Sequence, residues 1–173
     1  MSSVVGIIGC GHMGGAIAKA LISKKIPVIA SNRTKPELQL GKAAEKKFTW
    51  TRDNKKLVES AEIIFIAVKP FDVQNVLIEI TPLLRKNHVL VSVAAGVSLA
   101  KLKKYADGHS KIVRVLPNLP AAVLRGVSVW KASSGLTAQG KKTVSLLLSS
   151  FGQAIEVSKE ELIDKAIVSG CGP

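Results

Sequence analysis

Cysteine is scarce: the 173 residues contain two, Cys10 and Cys171, at opposite ends of the chain. Neither has a second cysteine or a histidine at ligand spacing, which excludes a disulfide framework and a zinc-finger module. A reducing cytoplasm is the expected setting. Aromatic residues make up only 4%, and no basic-aromatic stripe of the kind that stacks on nucleic acid is present. Long apolar runs are missing as well. The stretch after Met1-Ser2-Ser3 stops at Gly9, has no basic leader and is too short for a bilayer, so neither a signal peptide nor a membrane segment is expected. Repeats, low-complexity tracts and long linkers are also lacking.

Acidic residues are few, 12 against 25 Lys and Arg, for a formal charge of +13. Such a surface favours anionic partners. The lysines are spread over many candidate helices, so nucleic acid is not the expected main ligand; a nucleotide phosphate would satisfy the same charge. Hydrophobic residues are 47% and charged residues 21%, enough for a buried core in one compact domain with a small appendage.

Apolar runs alternate with amphipathic stretches along the whole chain. Val4 to Ile8, Val28 to Ala30, Phe48 to Trp50, Glu62 to Val68, Val89 to Val93, Ile112 to Leu116, Val127 to Trp130 and Ala154 to Val157 read as strands. Met13 to Ser23, Lys55 to Ser60, Phe71 to Leu84 (bent or ended by Pro82), Ser98 to Tyr105 and Thr137 to Phe151 read as helices. Thr34 with Glu37 and Ser158 with Glu161 are capping-box pairs that predict two more, the second reaching about Val168. The near-continuous apolar run EIIFIAV predicts a strand buried on both faces. The fold class that follows is α/β, a doubly wound, mainly parallel sheet of Rossmann type. Residues 1–158 are assigned to it, and 159–173 to a helix and a Gly-rich stretch that reads as a junction to further chain.

Gly9-Cys10-Gly11-His12-Met13-Gly14 matches G-x-G-x-x-G. Alone the pattern is weak, but an apolar strand precedes it and a helix rich in Ala and Ile follows. Gly9 permits the tight turn, Gly11 lets a pyrophosphate approach the backbone, and Gly14 lets helix and sheet close up. Helix N–H groups then face the phosphates, with His12 a possible extra donor and Met13 beside it. At the end of the second strand an NAD site usually carries Asp or Glu. This chain has Asn32-Arg33-Thr34-Lys35, which predicts NADP(H), with Arg33 on the 2′-phosphate and its neighbours assisting.

Several segments together resemble pyrroline-5-carboxylate reductase: GIIGCGHMGGAIAKAL (6–21), SNRT (31–34), DN (53–54), AVKP (67–70), SVAAGVS (92–98), RVLPNLPA (114–121) and IDKAIVSGCGP (163–173). The resemblance implies a cytoplasmic enzyme of proline biosynthesis in which NADPH reduces the imine of a small imino acid. It implies that Ala67, Val68, Lys69 and Pro70 lie beside the cofactor ribose and nicotinamide, that Ala94, Ala95 and Gly96 approach the nicotinamide, and that Asn54 meets the adenosine. Asn118 and Ser169 would face the substrate; the prolines around Asn118 serve equally as loop scaffold or as active-site wall. No catalytic side chain and no metal site is assigned.

Three departures bear on the substrate. Leu119 stands where the family usually has Thr, Leu124 replaces a glycine, and Cys171 replaces a serine. The family also continues into a helical domain that builds the dimer and holds the substrate carboxylate. A chain ending at Pro173 is therefore expected to bind NADP(H) and to turn over imine poorly, with a homodimer or larger assembly only where that domain is present. A β-hydroxyacid dehydrogenase-like enzyme, an F420-dependent NADP reductase and a non-catalytic NADP-binding or nucleotide-sensing paralogue stay open as alternatives.

Overall fold

Val5–Ile8 forms β1, an inner strand of the sheet, and every one of its residues is buried. The computed structural model describes residues 4–117 and 126–170, with backbone only for 167–170. Eight strands lie in the order β3-β2-β1-β4-β5-β6-β7-β8: β1, β2 (Val28–Ser31), β3 (Phe48–Thr51), β4 (Ile63–Ile66), β5 (Val89–Ser92), β6 (Ile112–Pro117), β7 (Gly126–Ala132) and β8 (Gly152–Glu156). The first six are mutually parallel. The helices are α1 (His12–Ser23), α2 (Lys42–Glu45), α3 (Asn54–Ser60), α4 (Val73–Ile80), α5 (Leu99–Tyr105), α6 (Ala138–Leu148) and α7 (Glu161–Gly170).

Strand alternation sorts the core into two layers. Ile7, Phe65, Val91 and Val113 face the layer that contains Ile17 and Leu21 of α1 and Val144 and Leu148 of α6. Ile8, Ile64, Ile66, Leu90 and Ile112 face Leu57 of α3, Leu77 of α4 and Leu102 of α5. Covered on both faces, β1, β4 and β5 carry the continuous apolar runs expected of inner parallel strands.

One expected helix is corrected and another is shifted at its start. No helix follows Thr34; the chain from Arg33 to Gly41 is irregular, and α2 is a single four-residue turn. Pro36 disfavours helical backbone at Lys35. Buried Leu38 and partly buried Leu40 sit two apart and pack on the α1-side core, which suits extended chain. The helix expected after Ser158 is present as α7, but it begins at Glu161, later than a cap at Ser158 would place it. The direction of β7 was also not legible, for it runs antiparallel to β6.

Arg114 of β6, 3% exposed, is bound by two carboxylates at the start of α7. Its guanidinium donates to Glu160 Oε1 at 2.9 Å and to both carboxylate oxygens of Asp164. Glu160 also accepts from the Leu99 amide at 2.7 Å, so one carboxylate ties α5, β6 and α7 together.

Candidate functional site

The strand order reverses at β1, because β2 lies on one side of it and β4 on the other. In an open parallel sheet a crevice forms there, at the carboxyl ends of the strands. Here it is a cleft of about 760 Å³, lined from β1 by Gly9, Gly11, His12 and Met13, from β2 by Ser31, Asn32 and Arg33, and from β4 by Ala67, Val68, Lys69 and Pro70. Val93, Ala94 and Ala95 enter after β5, and Arg52 and Asn54 after β3.

Main-chain bonds fix the rim. Gly9 N–H donates to Ser31 O at 2.9 Å and Ala67 N–H to Ile8 O at 2.8 Å. Gly9 has φ +90°, and a Cβ there would lie 2.8 Å from the Ala67 carbonyl. At Gly14 a Cβ would run into the Gly9 carbonyl oxygen, so α1 can approach the turn only with glycine at this point. Gly11 differs: a Cβ placed on it meets nothing within 4 Å. As the N-cap of α1 it offers no side-chain acceptor, and no acidic residue occupies the first turn. The first N–H groups of the helix and its positive dipole end therefore face open space, where they can hold an anion.

The β2–β3 side is polar and cationic. The Asn32 side chain bridges two loops, its carbonyl accepting from Cys10 N–H at 3.3 Å and its amide donating to Thr34 O at 3.1 Å. Ser31 Oγ donates to Asn54 Oδ1 at 2.5 Å, and Asn54 Nδ2 donates to Glu79 Oε2 at 2.8 Å. Asn54 is thus locked in one amide orientation between β2 and α4. Arg33, Arg52 and Lys69 are exposed, and none has an ion-pair partner among the described residues.

The cleft gathers Gly9, Gly11, His12, Met13, Asn32, Arg33, Asn54, Ala67, Val68, Lys69, Pro70, Ala94 and Ala95 of the residues read from sequence. Gly14 is buried beneath the turn, and Gly96 turns away after β5 with φ +73°. Thr34 is not on the cleft wall, and Lys35 lines a separate hollow between residues 35–40 and Phe48, Thr49 and Trp50. Asn118 lies outside the described residues, as do Leu119, Leu124 and Cys171; Ser169 is described by backbone alone, in the last turn of α7. Sequence reading missed Arg52, Asp72, Asn75, Val76 and Glu79. Asp72, just before α4, and the α4 residues among them recur at helical spacing (72, 75, 76, 79), which marks a face without saying what it meets.

Cys10 sits in the turn yet points into the core at 5% exposure. Burial pushes its thiol up to about 11, so only about one molecule in a thousand is thiolate at pH 8. In a Cys171→Ser chain, iodoacetamide is expected to label Cys10 at least about 100-fold more slowly than free cysteine at that pH; labelling at the free-thiol rate would contradict its burial. His88, fully buried at the amino end of β5, lies at the pole opposite the cleft, and burial, then Arg85 and His109, lowers its proton affinity. Among the described residues no group of three His, Cys, Asp or Glu is placed to hold a metal ion, and no helix is long and apolar enough to cross a membrane.

Residues 4–96 match the family model described as NADP oxidoreductase, coenzyme F420-dependent. Curated relatives include pyrroline-5-carboxylate reductase 3 of Danio rerio, 32% identical over 97% of this chain and 59% of its own length. The pyrroline-5-carboxylate reductase of Pisum sativum is 33% identical over 99% of this chain and 63% of its own length. Among solved structures, a pyrroline-5-carboxylate reductase from Coxiella burnetii superposes with TM-score 0.90 at 28% identity, covering 100% of this chain and 66% of that one. The Plasmodium falciparum pyrroline carboxylate reductase with NADP bound gives 0.86 at 29%, covering 99% and 63%. The chain thus spans about three fifths of the length of these curated relatives.

Proposed function

The chain belongs to the NADP oxidoreductase, coenzyme F420-dependent, family, and from that premise we propose that it is the NADP(H)-binding domain of a pyrroline-5-carboxylate reductase. The observation that carries this reading is the juxtaposition at the sheet's switch point. An open glycine turn without a carboxylate in its first helical turn stands beside a β2 end that offers arginine instead of an acid.

The residues present fit the group. The space over Gly11, which a Cβ would fill, accepts a pyrophosphate against uncapped N–H groups. Arg33 supplies a charge-assisted contact for the 2′-phosphate. Asn54, held by Ser31 and Glu79, presents its remaining N–H to the adenosine ribose. Ala67 to Pro70 and Ala94-Ala95 form the wall for the nicotinamide half, where the small side chains of Ala67, Ala94 and Ala95 allow close approach. His12 and Met13 border the phosphate position, and Asn32 holds the loops that shape it. Bound there, NADPH supplies the hydride that converts the imine carbon of pyrroline-5-carboxylate to that of proline. The chain's own task is to bind and orient.

The reading places this step in the cytoplasm, with a small imino acid as substrate. Asn118 and Ser169 enter as substrate-facing residues through the resemblance alone. It assigns residues 1–158 to the dinucleotide domain and 159–173 to the start of a helical region, with a homodimer or larger assembly where that region continues. The family description itself favours a second reading, hydride exchange between NADP and a deazaflavin. Reduction of coenzyme F420, and not of the imine, by the full-length enzyme would decide for it.

Titration of the purified chain with NADPH and NADH tests the central proposal. Tight, saturable NADPH binding is expected. Arg33→Ala should weaken NADPH about tenfold, the size of one charge-assisted contact, and leave NADH within about twofold. Equal losses for both coenzymes would remove Arg33 from the 2′-phosphate.

A further inference from the structure

Arg52 is a cleft residue that neither the glycine motif nor the β2 end accounts for. Its place follows from strand pairing. β2 and β3 run parallel with Ser31 opposite Thr51, and the Asn32 amide extends the pairing by donating to Thr51 O at 3.2 Å. Arg33 and Arg52 therefore leave neighbouring strands at nearly the same level, and adjacent strands are about 4.8 Å apart.

Alternation along β3 settles the face. Phe48 packs on the α1-side core, and Trp50 lines the hollow beneath residues 35–40. The Arg52 guanidinium lies over the Trp50 ring, 5.7 Å from its centroid. Arg52 is thus held on the side toward which the chain turns after Arg33. Both arginines are exposed and both line the cleft.

Two acids near this corner are occupied. Asp53 Oδ1 caps α3, accepting from Lys55 N–H at 2.8 Å and Lys56 N–H at 3.4 Å. Glu79 is bound by the Asn54 amide. Two guanidinium groups at adjacent strand ends, with no ion-pair partner among the described residues, repel one another unless an anion lies between them. A ribose hydroxyl cannot do this. A phosphate monoester carries about −1.5 to −2 charges at neutral pH and three strong acceptor oxygens, and it can take both.

We infer that Arg52 is a second specificity residue, closing with Arg33 on the 2′-phosphate of NADP(H), with Trp50 as the platform that holds it. The inference rests on the dinucleotide reading above, and the experiment separates the two. Arg33→Gln, Arg52→Gln and the double variant are titrated calorimetrically with NADPH and NADH, and NADPH is displaced with adenosine 2′,5′-bisphosphate. Arg52→Gln is expected to weaken NADPH and the bisphosphate about tenfold and to leave NADH within about twofold. The double variant should lose about 100-fold, or less if the two contacts couple. Unchanged NADPH affinity in Arg52→Gln, with Arg33→Gln impaired, would overturn the role of Arg52 and spare the dinucleotide reading. Equal losses of NADPH and NADH would overturn it too, placing Arg52 on the adenosine. A wild-type chain that binds neither coenzyme would overturn both readings.

Discussion

Gly11→Val is expected to abolish measurable NADPH and NADH binding, a loss of at least about 100-fold or 2.7 kcal/mol, while the protein stays folded. The reason is the environment of the missing Cβ. At Gly11 it meets nothing within 4 Å, and φ there, −78°, is not left-handed. Valine is a poorer N-cap than glycine by about 1 kcal/mol, so the melting temperature should fall by no more than about 4 °C. Its two methyl groups would occupy the space above the helix N–H groups that the diphosphate needs. Gly14→Ala, three residues on, should fail for the opposite reason: its Cβ drives into the Gly9 carbonyl oxygen, and backbone cannot yield as a side chain does. Overpacking of this kind costs about 1–3 kcal/mol or more, so this variant should lose stability first and binding as a consequence. Circular dichroism melts beside coenzyme titrations tell the two apart. A Gly11→Val protein that binds NADPH like wild type would mean the diphosphate does not lie on this turn.

The second large effect concerns stability. Arg114 is buried, whereas Glu160 is 29% and Asp164 53% exposed, so the two sides of this cluster are not equivalent. Arg114→Met leaves carboxylates that can turn to water, and should cost about 1 kcal/mol, typical of partly exposed pairs. Glu160→Gln with Asp164→Asn leaves a guanidinium in the core without its counter-charges. That double change should cost about 3 kcal/mol, the low end for breaking a buried pair, because half-exposed Asp164 is already screened by solvent. The corresponding drop in melting temperature is about 6–12 °C. A double variant no less stable than Arg114→Met would refute the asymmetry.

The same cluster predicts a pH dependence. A hydrogen bond from Arg114 holds the Asp164 carboxyl below its ordinary range; burial opposes this and the attraction of the guanidinium adds to it. The unfolded chain therefore binds the proton more readily than the folded one. The stabilisation is full above the unfolded value of about 3.9 and disappears as pH falls through the lower folded value. Melts of wild type and Asp164→Asn should differ most near neutrality and converge below about pH 4. A gap that stays constant down to pH 2.5 would show that the carboxylate charge is not what matters.

Much of this was legible along the chain. Val5–Ile8, Ile63–Ile66 and Val89–Ser92 announce themselves because strands covered on both faces favour near-continuous apolar side chains. The glycine turn is legible because each glycine answers a backbone requirement: a positive φ at Gly9 and steric closure at Gly14. The helix after Thr34 failed because a capping box is a local signal. Leu38 and Leu40, two residues apart, were drawn into the core as extended chain and overrode it. Arg52 and Glu79 were overlooked because nothing in their neighbourhood along the chain marks them. They matter through pairing of β3 with β2 and through packing of α4 against the cleft.

Sequence alone determined the strand–helix alternation, the phosphate-type turn and the absence of an acid at the end of β2, since each is written in contiguous residues. Tertiary structure decided which loops meet across the switch point, which way β7 runs, and that Arg114 lies under the start of α7. The division is physical. Periodicity and backbone sterics act between near neighbours in the chain, whereas the cleft and its charge arise from strand order, which brings residues such as Ser31, Asn54 and Glu79 into hydrogen-bonding distance.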